Sequence, residues 1–150
     1  MRQQVNSMRM MFYYQLKDFE SVDRLMPDCM MIDAQSISFK LARMYSRNTP
    51  AADIDKFFNK KCKRLKTDNA ILPYSTYAWI LLKQDRADEA FKVMTTAKTK
   101  SSNETILRNW EFLANGKPKS FSNKGLDDLW YSLMLETPKM PTSRQQVFRG

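Results

Sequence analysis

The closest approach to a reaction centre in this chain is two pairs of carboxylates, Asp127-Asp128 and Asp53-x-Asp55. Paired acids are raw material for general acid–base work. Each pair, however, falls near the start of a segment with helical spacing, where negative charge meets the positive end of the helix macrodipole. A structural role accounts for them. Histidine is absent, so there is neither an imidazole base nor a His metal ligand. The chain also lacks a G-x-S-x-G turn, a phosphate-cradling glycine loop and an H-x-E deaminase signature. Cys29 and Cys62 stand far apart on apolar helix faces without CxxC spacing, which predicts buried free thiols rather than zinc or redox chemistry. These residues predict a non-enzymatic protein with no cofactor and no metal site.

The chemistry left is that of binding. The 150 residues carry 25 Lys and Arg against 16 Asp and Glu, a formal charge of +9. Such a surplus favours anionic partners: an acidic peptide or protein, nucleic acid, or an anionic membrane surface. No apolar run reaches the roughly 18 to 20 residues that span a bilayer, and the short apolar stretch Met8 to Tyr14 is interrupted by Lys17-Asp18 without a cleavage site. The expectation is a cytoplasmic protein, or the soluble portion of a membrane-tethered one. The oligomeric state stays open.

The elements that must position these charges are helices. Glycine occurs 3 times, β-branched runs are scarce, and Lys, Leu, Ala, Met and Asp recur at helical spacing, so the class is all-α. The stripe Ala90-x3-Met94-x2-Ala97 recurs as Val22-x3-Met26-x2-Cys29, Ile54-x3-Phe58-x2-Lys61 and Leu126-x3-Trp130-x2-Leu133, at intervals of 32, 36 and 36 residues. Twelve residues before the last three stripes stand Ala42, Ala78 and Ala114, each preceded by a bulky residue, Leu41, Tyr77 or Leu113. Small residues in register at a helix–helix contact let two backbones approach, while the bulky neighbours and Tyr45 or Leu81 fill the groove. Local signals fit: Thr49-Pro50 reads as a helix start and Ser101-x-x-Glu104 as a capping box. Asp85 takes a tight corner, Gly116 and Gly125 fall between the last two helices, and Pro27 kinks or shortens the first pair's second helix.

In the last copy the run Trp110-x2-Leu113-Ala114, Leu126-x3-Trp130, Pro138 resembles the tetratricopeptide repeat, whose Trp, Leu-Gly, Tyr, Ala, Phe and Pro positions have the same spacing. The resemblance covers about residues 3 to 140, with departures at Met10, Lys61 and Lys117. It implies an α-solenoid of about four antiparallel helix pairs in a right-handed superhelix, occupying 1–140, with repeats at about 3–34, 35–70, 71–106 and 107–140. A basic tail, 141–150, would follow.

The resemblance further implies an adaptor whose first helices line a concave groove. That face would carry Tyr14 and Gln15, then Phe39, Lys40, Arg43 and Arg47, then Trp79, Leu82 and Lys83, then Arg108, Phe112 and Asn115. Guanidinium and ammonium groups beside apolar ledges suit an extended peptide bearing carboxylates. The asparagines of a carboxylate clamp are missing apart from Asn115. Lys40, Arg43 and Arg47 equally suit a solvated helix face, and Trp79 either opens to the groove or packs on a neighbouring first helix. On the convex side, Ile54, Phe58, Cys62 and Leu65 point inward and Lys56, Lys60, Lys63 and Arg64 outward, as a solvated face or as a contact for phosphates, anionic lipid or a protein. Residues Tyr74 to Met94 also resemble a pentatricopeptide repeat, which implies single-stranded RNA as an alternative ligand.

Overall fold

Every regular element in the computed structural model, which describes residues 2–29 and 33–138, is a helix. The chain runs α1 (Arg2–Gln15), α2 (Phe19–Leu25) with a 3-10 turn at Met26–Asp28, α3 (Ala34–Ser46), α4 (Ala51–Cys62), α5 (Asp68–Lys83), α6 (Ala87–Lys100) and α7 (Glu104–Ala114). Two 3-10 turns, Pro118–Ser120 and Lys124–Leu126, lead to the single-turn α8 (Asp128–Tyr131). The all-α class read from composition is therefore what the chain forms. The expected basic tail, 141–150, lies outside the described residues. No described helix is long and apolar enough to cross a membrane.

Four helices end in the same way. Lys17, Asn48, Asp85 and Gly116, just beyond α1, α3, α5 and α7, have left-handed backbones with φ of 61°, 59°, 59° and 70°. Each corner N–H donates to the carbonyl three residues back, on Tyr14, Tyr45, Leu82 and Leu113. The next N–H donates to the carbonyl five back, from Asp18 to Tyr13, Thr49 to Met44, Arg86 to Leu81 and Lys117 to Phe112, at 2.8 to 3.0 Å. These bonds claim carbonyls that a helix end otherwise orphans, and they turn the chain sharply. Asp85 thus occupies the tight corner read from sequence. Only Gly116 does so without the steric cost an L side chain meets there.

The helix starts differ in detail from expectation. Asn103 caps α7, its Oδ1 accepting from the N–H groups of Thr105 (2.9 Å) and Ile106 (3.2 Å), while Ser101 only accepts from Asn103 N–H. A cap oxygen must sit beside the first turn, and Ser101 is two residues too early. For the same reason Thr49 does not cap α4, which begins at Ala51 with Pro50 in the cap position. Asp18 and Asp33 cap α2 and α3 through Ser21 and Ser36. Pro27 shortens α2 as expected, and the chain passes into the 3-10 turn there.

At the centre lies α5, whose residues 70–81 are buried on every side, as an all-round apolar helix requires. It packs against α3, α4, α6 and α8, and α6 in turn packs against α7. The second-helix stripes are core: Val22, Met26 and Cys29; Ile54 and Phe58; Ala90, Met94 and Ala97; Leu126, Trp130 and Leu133 are all buried, and only Lys61 is half-exposed. The first-helix register needs correcting. Ala42 and Ala78 are fully buried, but Ala114 is exposed at the last position of α7. The recurrent contact lies seven residues before each corner, at Met10, Leu41, Ala78 and Asn109, none more than 1% exposed. The corners are spaced 31, 37 and 31 residues apart, so a fixed interval of 36 drifts off the contact in the last copy.

The fourth pair departs further. Leu126 to Leu133 was expected to form a helix antiparallel to α7, but the segment holds only the one-turn α8, and this packs against α5. A polar network fixes the crossing. Asn109 Nδ2 donates to Ser122 O (2.9 Å) and Asn109 Oδ1 accepts from Ser122 N–H (3.0 Å), while Asn123 Nδ2 donates to Ser75 O on α5 (3.0 Å). Gly125 closes against α7 so tightly that a Cβ there would stand 2.4 Å from Thr105 Oγ1.

Candidate docking surface

Three of the aromatic side chains expected on a concave face are brought together, and they are covered. Tyr14 of α1 stacks on Phe39 of α3 at 4.1 Å between ring centroids, and Tyr45 of α3 meets Trp79 of α5 edge-on at 5.2 Å. Over them runs the segment Leu126–Glu136. Trp130 packs on Trp79 at 5.4 Å, Tyr14 Oη donates to Leu133 O at 2.6 Å, and the Glu136 carboxylate accepts from both indoles, Trp130 Nε1 at 2.8 Å and Trp79 Nε1 at 3.3 Å. Tyr14, Phe39 and Trp79 are buried, which corrects the expectation that Tyr14 and Phe39 stand open to a partner; of the two readings of Trp79, packing on a neighbouring first helix is the one the structure has. Burial also pushes the Tyr14 hydroxyl above its ordinary range, so it stays a donor.

The cations of α3 divide. Arg43 forks onto Asp23 of α2, with Nε and Nη2 each 2.9 Å from a carboxylate oxygen, and lies 4.4 Å over the Phe19 ring. It joins α2 to α3 and is not a free docking cation, contrary to expectation. Arg47 is mostly exposed and reaches Asp23 only at 3.6 Å. Lys40 is half-buried, and burial followed by repulsion from Arg47 pushes its ammonium below the usual lysine range. These three cations border a cleft of about 270 Å³ with Asp23, Met26 and Asp53.

A larger cleft, about 520 Å³, opens where the C-terminal half of α5 meets the crossing segment. Trp79, Leu82, Lys83 and Asp85 line it together with Pro118, Lys119, Phe121 and Glu136. Lys83 Nζ sits 5.1 Å from the Trp79 ring centroid. Two ammonium groups over an aromatic and aliphatic floor can hold a carboxylate while burying apolar surface next to it. Sequence reading found Trp79, Leu82 and Lys83 but missed Lys119, Phe121 and Glu136. These fell in what the register took for loop and repeat end, and their only local signal was Pro118 and Gly125 holding the segment out of a helix.

The groove residues expected from the fourth copy, Arg108, Phe112 and Asn115, line neither cleft. Arg108 is exposed and pairs with Glu104 one turn back at 2.9 Å, Asn115 is exposed at the corner, and Phe112 is half-buried. Gln15 is exposed as well. On α4 and the turn that follows it, Ile54, Phe58, Cys62 and Leu65 are buried and Lys56, Lys60, Lys63 and Arg64 exposed. Burial holds the Cys62 thiol up to about 12, and both Cys29 and Cys62 are free and buried. Opposite the core side of α1, Val5, Met8, Phe12 and Leu16 form a row in which each is more than half exposed. Spacings of three, four and four residues could have revealed that row from sequence.

A second charged centre is structural. Asp55 of α4 accepts from Arg86 Nη2 at 2.8 Å, Arg86 Nη1 at 3.2 Å and Tyr77 Oη at 2.5 Å, and Arg86 also pairs with Glu89. Partial burial opposes the charge on Asp55, but these donors outweigh it and hold its carboxyl below the ordinary range. Lys100, at the end of α6, donates to the carbonyls of Lys63 and Leu65 at the end of α4, where a cation meets the negative end of a helix. Both clusters bind helix to helix. No group of three or more potential metal-ligating side chains occurs among the described residues.

Comparison of the chain with protein-family models, with characterised proteins and with solved structures finds no match.

Proposed function

We propose that this protein is a tetratricopeptide-like helical-repeat module, a short α-solenoid without catalytic activity, that binds a protein partner through an acidic peptide segment. Two features support the repeat: four helices end in one corner geometry, and the buried position seven residues before each corner recurs. The observation that carries the binding reading is the 520 Å³ cleft, in which Lys83 and Lys119 flank Trp79, Leu82 and Phe121. Cations beside a desolvated aromatic floor give register and buried area together.

The test is charge reversal on the cleft. The chain carrying Lys83→Glu and Lys119→Glu keeps its helical circular dichroism, because Lys83 and Lys119 are exposed. In affinity capture from source cells followed by mass spectrometry, it loses the partners that wild type retains. Capture of an identical set by both chains would remove the cleft from the account. Arg43 is unsuitable for this test because its reversal would break the Asp23 fork.

The exposed cations Lys56 and Lys60 of α4 and Lys63 and Arg64 just beyond it favour a second reading, single-stranded RNA. Titration at two salt concentrations separates the two: counterion release gives RNA binding a steep salt slope, and absence of measurable binding at low salt would eliminate it.

A further inference from the structure

Leu126–Glu136 lies against α1 and α5 as a ligand would. It has one aromatic anchor, one carboxylate and one main-chain acceptor: Trp130 buried against Trp79, Glu136 spanning both indole N–H groups, and Leu133 O taking the Tyr14 hydroxyl. Its only α-helix is the single turn of α8, and it is delivered by residues 115–127, which contain both Gly116 and Gly125 and no α-helix. The groups it meets come from two helices, Tyr14 of α1 and Trp79 of α5, and the carboxylate it contributes lines the same cleft as Lys83. We propose that this segment is a built-in occupant of a peptide-binding face, and that the same face accepts from a partner protein a segment with a tryptophan followed six residues later by a carboxylate. The inference rests on the docking function proposed above and supplies the chemistry of its ligand. Tethering gives the resident segment an effective concentration on the order of millimolar, so a partner gains the face only by binding well below that value or where the resident hold is weakened.

A fluorescent peptide of residues 124–138 is the probe, titrated by anisotropy into the full chain and its variants. Wild type binds weakly. The Trp130→Ala chain, with its face vacated, binds at least about tenfold tighter, and the peptide carrying Glu136→Gln loses roughly tenfold against that chain, the scale for hydrogen bonds to a charged group. If Trp130→Ala fails to keep its helical signal, Glu136→Lys decides instead: it leaves Trp130 in place, weakens the clasp and raises peptide affinity by about tenfold. Equal affinity of the peptide for wild type and the folded variants would overturn the proposal, making the segment plain core. Should that occur while the Lys83 and Lys119 reversal still abolishes partner capture, the self-ligand idea falls and the docking function stands.

Discussion

Replacing Asp55 tests how α4 is fastened to the corner between α5 and α6. Its carboxylate takes a two-pronged contact from Arg86 and one bond from Tyr77, and the Arg86 and Asp55 side chains are 23% and 27% exposed. Hydrogen bonds to charged groups contribute about 1.5 to 3 kcal/mol when sheltered, and solvent reaching a quarter of each side chain argues for the low end. Asp55→Asn keeps an acceptor for Tyr77 and loses the charge opposite Arg86, which predicts a cost of about 1.5 kcal/mol. Asp55→Ala also orphans the Tyr77 hydroxyl and predicts about 3 kcal/mol. The pH dependence has a definite sign. Because the folded Asp55 carboxyl titrates below the unfolded one, its contribution is complete above the unfolded value of about 4 and disappears as pH falls through the folded one. The difference between wild type and Asp55→Asn, measured as the urea midpoint by helical circular dichroism, should therefore hold steady near pH 7 and shrink as the pH is lowered below the ordinary carboxylate range. A penalty below about 0.5 kcal/mol, the size of a neutral surface change, or one that does not shrink as the solution is made acid, would refute the fastening.

Asn123→Ala removes the donor to Ser75 O from a fully buried position and should cost about 2 kcal/mol, with loss of Trp130 fluorescence protection against acrylamide. Ser75 Oγ is buried without a hydrogen-bond partner, so Ser75→Ala should be neutral or stabilise by up to about 1 kcal/mol, seen as an unchanged or raised thermal midpoint. Lys17→Gly relieves a left-handed lysine at the first corner and should raise the midpoint by an amount equivalent to about 0.5 to 1 kcal/mol, whereas Gly116→Ala should lower it by a similar amount.

The helical class and the second-helix stripes were legible because burial of Ile54, Phe58, Ala90, Met94 and Trp130 follows the 3.6-residue period directly. The corner at Asp85 was legible for a local reason, its tolerance of left-handed backbone. The first-helix register was not. Corner spacings alternate between 31 and 37 residues, so an alanine ruler fits Ala42 and Ala78 and misses Asn109, a polar residue serving the same buried position. Burial of Tyr14 and Phe39 was not legible, and that of Trp79 was left open, because helical phase tells which side faces a neighbouring helix, not what another part of the chain lays over the opposite side. That covering depends on Asn109, Asn123 and Glu136, whose bonds span 13 to 57 residues and leave no periodic trace.

The bond between Tyr14 and Leu133 joins residues 119 positions apart, whereas each corner closes within five. Contacts this distant are late events in folding, since loop closure must precede them. On the ribosome Trp130 is added after every residue of α1 to α7. Until Trp130 and Leu133 are added, Tyr14 and Trp79 lack the contacts that the segment Leu126–Glu136 gives them.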